Sequence, residues 1–282
     1  MKKTITAHCL VKNEARFLWY SVMSVIKHVD QLLLWDTGST DGTIEVIKSL
    51  IKVDKDKKIK FRNYGEVSTQ TFPQARQEML DETKTDWFMV VDGDEVWWED
   101  SISRLVSEID KQGDIIESIV VPNYNLVGDI YHYLEQEAGN YKFGNLKGHY
   151  SMRAVNRRIQ GLHSYGPHGV WGWVDKDNRM IQNRNPKNIL YIDAPYIHAT
   201  FLARAAEKEQ DKNVPKRNKK LKYEIGVPFP LDFYYPEVFF RTRPEIVPSV
   251  WSKVNKQYKL RAYIETPLKK IKRRLFGSKV GY

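Results

Sequence analysis

Three short polar stretches carry residue types that act on charged substrates, and each follows an apolar run. They are Val11-Lys12-Asn13-Glu14-Ala15, then Asp36-Thr37-Gly38-Ser39-Thr40-Asp41-Gly42-Thr43, then Asp92-Gly93-Asp94-Glu95. In the third stretch Asp92, Asp94 and Glu95 stand almost side by side. Clustered carboxylates favour a hard divalent cation, which can bridge phosphate oxygens. The Asp-x-Asp spacing recurs at Asp54/Asp56 and Asp175/Asp177, but only Asp92/Asp94 follows an apolar run, Trp87–Val91. Context therefore selects it, with a solvated acidic turn as the plain alternative. A calcium-binding helix–loop–helix site is unfavoured, because Trp97 stands where that loop needs glycine. In the second stretch Gly38 and Gly42 permit tight turns, and Thr40 or Asp41 can cap the next helix. Asp36 then ends a buried strand with its carboxylate toward a cleft, able to accept hydrogen bonds from a ribose or a base N–H. A simple capped turn is the other reading of the same residues.

The elements that must position these loops follow from apolar spacing. Strands are expected at Thr4–Val11, Gln31–Trp35, Lys60–Tyr64, Trp87–Val91 and Ile115–Val121. Helices are expected over Glu14–Val29, Thr43–Ile51, Pro73–Leu80 and Ser101–Ile109; Ile44, Ile47, Leu50 and Ile51, for example, share one side. This alternation predicts an α/β fold with a mostly parallel central sheet and helices on both faces. Ligands bind such sheets at the carboxyl ends of the strands, where the three polar stretches fall. Residues 122–200, rich in Tyr, Asn, Gly and His, read as loops and short strands that complete the sheet and line the cleft. Residues 200–225 read as a charged helix and linker, and 226–251 are rich in proline and aromatics. The expected division is a catalytic domain over 1–205 and a C-terminal extension over 206–282, aromatic-rich and then basic and helical.

Composition bounds the class. Of 282 residues 41% are apolar, enough for a real core. No uninterrupted apolar run reaches the ~18 residues of a membrane span, and the N-terminus lacks a signal-peptide pattern. Cys9 is the only cysteine, which excludes an internal disulfide and a cysteine-rich zinc site, and a reducing cytoplasm is the expected compartment. Net charge is +10, and it is uneven: residues 250–282 hold ten basic side chains against Glu265 alone. A near-neutral body argues against nucleic-acid binding, and the cationic tail points to a localised anionic partner.

In order and spacing, Val-Lys-Asn-Glu-Ala (11–15), Trp-Asp-Thr-Gly-Ser-Thr-Asp-Gly-Thr (35–43) and Asp-Trp-Phe-Met-Val-Val-Asp-Gly-Asp-Glu (86–95) resemble family 2 glycosyltransferases of the GT-A fold. Pro73-Gln74-Ala75-Arg76-Gln77 is similar to that family's Ala-Arg-Asn element. The resemblance implies that Asp36 contacts the base or ribose of a sugar nucleotide, with Asn13, Glu14 and Asp41 in the same binding region. It implies further that Arg76 meets the nucleotide or its diphosphate, that Asp92 lies near the ribose or sugar, and that Asp94 holds Mn2+ or Mg2+. Farther on, Tyr150-Ser-Met-Arg153-Ala-Val-Asn-Arg157 resembles the family's Arg-x-Phe-Arg stretch. Tyr196-Ile-His198, with Lys216-Arg217-Asn218 downstream, resembles its late His and Lys/Arg-Asn elements. His198 is then a further metal ligand or diphosphate contact, and Arg217 a nucleotide contact. Gly166-Pro167-His168-Gly169 departs from the pattern, having glycine where a His-Glu pair would supply the acid. An inverting transfer needs a base for the acceptor hydroxyl. Asp175, Glu135 and His168 are the weak candidates, with Asp129, Glu137 and His163 also in the region.

The function the resemblance implies is metal-dependent, inverting transfer of a sugar from a nucleotide-sugar donor, a UDP-sugar favoured, and attachment of the tail to a membrane would suit a glycan or lipid-linked acceptor of the cell envelope. A sugar nucleotidyltransferase is the alternative, but it needs a glycine-rich loop after the first strand, and Val11–Phe17 contains no glycine. The tail carries its own expectation. Thr266 can cap a helix with Pro267 at its first position, and Leu268, Ile271, Leu275 and Phe276 then form an apolar stripe among Lys269, Lys270, Lys272, Arg273 and Arg274. That is the pattern of a helix lying on an anionic membrane surface, peripheral at the inner face of the cell membrane, with Phe229–Phe240 adding contacts. Docking of the same stripe onto the body is the alternative.

Overall fold

A computed structural model describes residues 2–139, 141–143, 146–214, 217 and 222–276. Along the chain, β1 (Ile5–Val11) leads through α1 (Leu18–Val25) to β2 (Gln31–Asp36), α2 (Thr43–Val53), β3 (Ile59–Asn63), α3 (Phe72–Glu82), β4 (Trp87–Val90), β5 (Glu95–Trp97) and α4 (Glu99–Gln112). Then come β6 (Ser118–Val127), β7 (Asp129–Tyr133), the pair β8 (Tyr141–Phe143) and β9 (Leu146–Gly148), and β10 (Tyr150–Asn156). The pair β11 (His163–Tyr165) and β12 (Gly172–Val174) is followed by β13 (Ile189–Tyr191), β14 (Tyr196–His198), β15 (Val227–Pro228) and α5 (Lys256–Phe276).

The main sheet has the order β15-β7-β6-β10-β4-β1-β2-β3. Strands β3, β2, β1 and β4 are mutually parallel, and β10 runs antiparallel between β4 and β6. Strands β13 and β14 add parallel to β6, and β5 closes against β14. The register aligns Val11 with Asp36, so the first two polar loops leave the sheet together. Alternate residues explain the layering. Ala7, Cys9, Leu32, Leu34 and Met89 share a core with α1, α2 and α4, whereas Leu33, Trp35, Phe88 and Val90 face α3 and the β11–β12 side. Both faces are covered, which is why the central strands read as continuous apolar runs. This is the expected α/β architecture, with its parallel centre, helices on both faces and a helical C-terminal extension.

Some expectations change. The helix expected over Glu14–Val29 is α1 followed by a 3₁₀ turn, Ile26–His28. Asn13 takes φ 54° in the left-handed region, and residues 14–17 form a turn before α1 begins. Ile115 is exposed on the turn after α4, and the strand starts instead at Ser118 and runs to Val127. Among the described residues, 200–225 hold no α-helix; a 3₁₀ segment, Lys208–Asn213, straps across the first two loops. Lys216 and Asn218 lie outside the described residues. The aromatic stretch joins the main core through Phe229, Val238, Phe239, Val247 and Val250. Thr266 does not open a helix: α5 begins at Lys256, with Pro267 inside it. The Thr266 hydroxyl donates back to the Ala262 carbonyl at 2.6 Å and accepts the Ile225 N–H at 2.8 Å.

Candidate active site

The carboxyl ends of β1, β2 and β4 bring the three polar loops together. The Thr37 N–H donates to the Val11 carbonyl (2.8 Å) and the Asn13 N–H to Ser39 Oγ (2.8 Å). A side chain on Gly93 would put its Cβ 2.9 Å from Glu14 Cγ, so glycine is what lets the first and third loops close on each other.

Two buried groups in this junction are only half satisfied. Asp36 is 1% exposed; its Oδ1 accepts the N–H groups of Gly38 (3.0 Å) and Ser39 (2.9 Å), while buried Oδ2 meets no hydrogen-bond partner among the described residues. Arg76, on α3 and 3% exposed, donates from Nη2 to Asp92 Oδ1 at 2.9 Å, while Nε and Nη1 have no hydrogen-bond partner there. Its guanidinium lies 5.4 Å from the ring centroids of Phe72 and Trp171. A buried donor or acceptor left unmade costs about 1–3 kcal/mol, so an oriented acceptor and an oriented cationic donor at strand ends are groups prepared for a ligand.

Behind them, three further arginines interleave with five carboxylates. Arg153 pairs with Glu95, lies 3.8 Å from Asp92 and donates from Nε to the Tyr196 hydroxyl (3.0 Å). Arg204 Nη1 lies 2.5 Å from Asp94 Oδ2 and 3.2 Å from Glu14 Oε1. Arg217 pairs with Glu14 and with Asp211 (3.1 Å), and also donates to the carbonyls of Asn13 (2.5 Å) and Lys12 (2.8 Å). Burial works to raise the Asp92 carboxyl, but Arg76 and Arg153 prevail and hold it below its usual range. Burial wins at Glu95, pushed up to about 8 against the pull of Arg153, and it also raises Glu14 against Arg204 and Arg217. His198 Nε2 stands 3.4 Å from Asp94 Oδ2 and 3.9 Å from Glu95 Oε1. Across β6 from His198, Asn125 Nδ2 donates to His149 Nδ1 at 2.7 Å; burial holds that imidazole down to about 4 and therefore neutral.

Asn13, Glu14, Asp36, Arg76, Asp92, Asp94, His198 and Arg217 thus lie together. Asp41 lies beside them, but its carboxylate is already engaged by the loops: Oδ1 takes the Thr43 N–H and hydroxyl, and Oδ2 takes the N–H groups of Ala15 and Ala206. It braces the loops instead of facing a nucleotide. Asn13 is also a brace, accepting from Thr40 N–H (2.8 Å) and donating to the Gln210 carbonyl (3.0 Å). Asp175 is a correction. It pairs with Arg184, which also holds Glu117 at the start of β6, so it stands at the opposite end of the sheet from Asp92. Glu135 pairs with Lys270 at 3.0 Å. The His168 N–H donates to the Thr69 carbonyl, and its ring packs edge-on against Phe72, on the Arg76 flank. Sequence reasoning missed Arg204 and Asp211. The available signal was an arginine inside the apolar run Phe201-Leu-Ala-Arg-Ala-Ala, which burial forces to find a carboxylate.

A divalent ion can be tested against this donor set. Among the described residues no group of three His, Cys, Asp or Glu is placed to hold a metal. Asp94 and His198 do offer a carboxylate and an imidazole 3.4 Å apart, and Mg2+-type sites commonly take one or two protein ligands and complete the shell with substrate phosphates. The Arg204 guanidinium already sits 2.5 Å from that same Asp94 oxygen, so an ion bound by Asp94 and His198 would share the oxygen with it or displace it.

The model of the glycosyl transferase family 2 matches residues 9–169, and the chain belongs to that family. No curated protein matches it. Among solved structures, Staphylococcus aureus TarS 1-349 in complex with UDP is similar at 11% identity, covering 69% of this chain and 60% of that one, with a TM-score of 0.45. Glucosyl-3-phosphoglycerate synthase from Mycobacterium tuberculosis with phosphoglyceric acid gives 17% identity, 70% and 71% coverage, and a TM-score of 0.45. Mannosyltransferase PcManGT from Pyrobaculum calidifontis with GDP-Man and Mn2+ gives 17%, 56% and 46%, and 0.41.

Proposed function

We propose that the cleft binds a nucleoside-diphosphate sugar, a UDP-sugar foremost, and passes the sugar with inversion to a hydroxyl of a glycan or lipid-linked acceptor of the cell envelope. The observation that carries this reading is the pair of buried, half-satisfied groups, Asp36 Oδ2 and Arg76 Nε and Nη1, in a family 2 chain. Asp36 Oδ2 accepts from the base or ribose, its orientation set by the Gly38 and Ser39 N–H groups. Arg76 donates to the diphosphate while Asp92 fixes its plane. Asp94 and His198 would hold Mn2+ or Mg2+, which would supply neutralisation of charge on the departing diphosphate. Arg153 and Arg204, each held by carboxylates, keep Asp92, Asp94, Glu95 and Glu14 from repelling that diphosphate. The protein works on the cytoplasmic side, peripheral at the inner face of the membrane. Calorimetric titration with UDP- and GDP-sugars, with and without Mn2+, tests the reading. Metal-enhanced binding of a nucleotide sugar that is lost in Asp36→Ala is expected; no binding of any nucleotide sugar overturns it.

A further inference from the structure

We infer that α5 is a membrane-docking helix whose outward apolar face sits in the interface of an anionic bilayer. Two opposite faces of the helix have different partners. Ala262 and Thr266 are buried, Tyr258 donates to the carbonyls of Lys222 (2.9 Å) and Glu224 (3.1 Å), Lys269 donates to the Tyr223 carbonyl (2.9 Å), and Arg273 pairs with buried Glu224. This face is docked on the body through polar straps. Leu260, Tyr263, Ile264, Leu268 and Ile271 recur at three- and four-residue steps on the other side, and each is more than half exposed, Tyr263 at 70% and Leu268 at 66%. The stripe is therefore not what docks the helix. It begins a full turn or more before Pro267, upstream of the stretch that the sequence pattern marks.

Charge says what covers this face. Lys256–Phe276 holds eight basic residues against one acid, Glu265, and that acid is already held by Arg261 (2.5 Å) and Lys269 (2.9 Å). Lys256, Lys259 and Lys272 are exposed, and among the described residues no carboxylate lies within ion-pair distance of them. By helical periodicity Arg261 and Lys272 border one edge of the stripe, and Lys256 and Lys270 the other. An apolar face with cationic borders matches the boundary between acyl chains and anionic headgroups, and neither signal alone gives stable attachment. No helix among the described residues is long and apolar enough to cross a membrane, so α5 lies on the surface.

The docked face also sets where the bilayer meets the protein. Lys270 reaches Glu135, and the N–H of neighbouring Leu134 donates to Asn125, the register partner of His198. The helix thus lies along the flank of the sheet where His198 stands, which suits an acceptor presented at a lipid surface. This deepens the membrane-side part of the proposed function and rests on it for the acceptor alone, since docking is measured without sugar transfer.

The experiment is co-sedimentation of the full chain with phosphatidylglycerol–phosphatidylcholine vesicles and with pure phosphatidylcholine vesicles, at low and high salt. Wild type is expected to bind the anionic vesicles, less at high salt, and to leave the neutral ones. Ile264→Glu/Leu268→Glu is expected to lose binding by about tenfold or more, because charges enter the outward face that meets the acyl chains. Lys256→Glu/Lys272→Glu is expected to lose binding and its salt dependence. Circular dichroism and UDP affinity, unchanged in both variants, show that the fold and the cleft are intact. Equal binding by the first variant and wild type overturns the inference. So does equal binding to neutral vesicles, a wild-type dimer that this variant dissociates, or binding to plain DNA in place of vesicles. If vesicles bind but no nucleotide sugar does, the docking stands and the proposed function fails.

Discussion

The cleft and α5 use the same side chains in opposite ways. In the cleft, Arg76, Arg204 and Arg217 are buried, Arg153 is half-buried, and each meets a carboxylate carried by another element or loop. On α5, the outward lysines stand in water beside exposed leucine and isoleucine. In the low dielectric of the cleft an unpaired charge is costly, so charges there are matched in sign and held in one geometry. On the helix water screens each charge, so an excess of one sign is tolerated and serves a partner. Position relative to solvent, more than residue type, separates a site that orients a substrate from a surface that attracts one.

The sharpest test of this contrast is Asp94→Asn. Donor turnover is expected to fall about a thousandfold, corresponding to several kcal/mol of lost metal-borne charge stabilisation. Steady-state rates across a Mn2+ series check it, and full activity, or wild-type turnover indifferent to metal, sinks the assignment. Arg204→Ala comes next. It leaves Asp94 and Glu14 without one of their cations, and breaking a buried pair costs about 3–5 kcal/mol. Its melting temperature should drop and be partly restored by Mn2+, more than for wild type; a melting curve unmoved by the substitution breaks the comparison.

A pH prediction follows from His149. Its ring, ordinarily near 6.5, is held down to about 4 by burial, so the unfolded chain binds the proton first. Stability is fully present above about pH 6.5 and declines as pH falls toward 4, by up to about 3 kcal/mol from this group. His149→Gln should flatten that decline in urea titrations run across the window, with buried His8, also held low by burial, leaving a residual slope. Asp36→Ala and Arg76→Ala should each weaken UDP binding by about 1.5–3 kcal/mol, roughly ten- to a hundredfold, by calorimetry. Unchanged affinity in both removes the cleft from the nucleotide. The smallest effect belongs to α5: Lys256→Ala and Lys272→Ala should leave the melting temperature unmoved, and a clear drop in either would mean that the helix surface holds the fold together as the cleft does.

Much of the fold was legible because it is written in neighbours. Apolar runs such as Trp87–Val91 followed at once by acids mark a buried strand and its carboxyl end, and Ile44, Ile47 and Leu50 mark a helix by spacing. The place of Asp36, Asp92 and Asp94 at strand ends was legible for the same reason, whereas Arg76 was singled out only through the resemblance of its motif. The sequence by itself determined these loops, the strand ends that carry them and the cationic end of the chain.

Which charges meet was decided only in three dimensions. Arg204 reaches Asp94 and Arg217 reaches Glu14 because the strap at Lys208–Asn213 folds back over the loops after β1 and β2. Asp175 falls to the far end of the sheet because β12 and Arg184 carry it there. Likewise, the pattern of Leu268 and Ile271 was plain in the sequence, but whether it faced the body or water was not; the straps through Tyr258, Thr266 and Arg273 turned it outward. Spacing along a chain specifies which side chains share a face. What that face meets depends on contacts made across many residues, and these are selected by the folded arrangement that leaves the fewest buried polar groups unpaired.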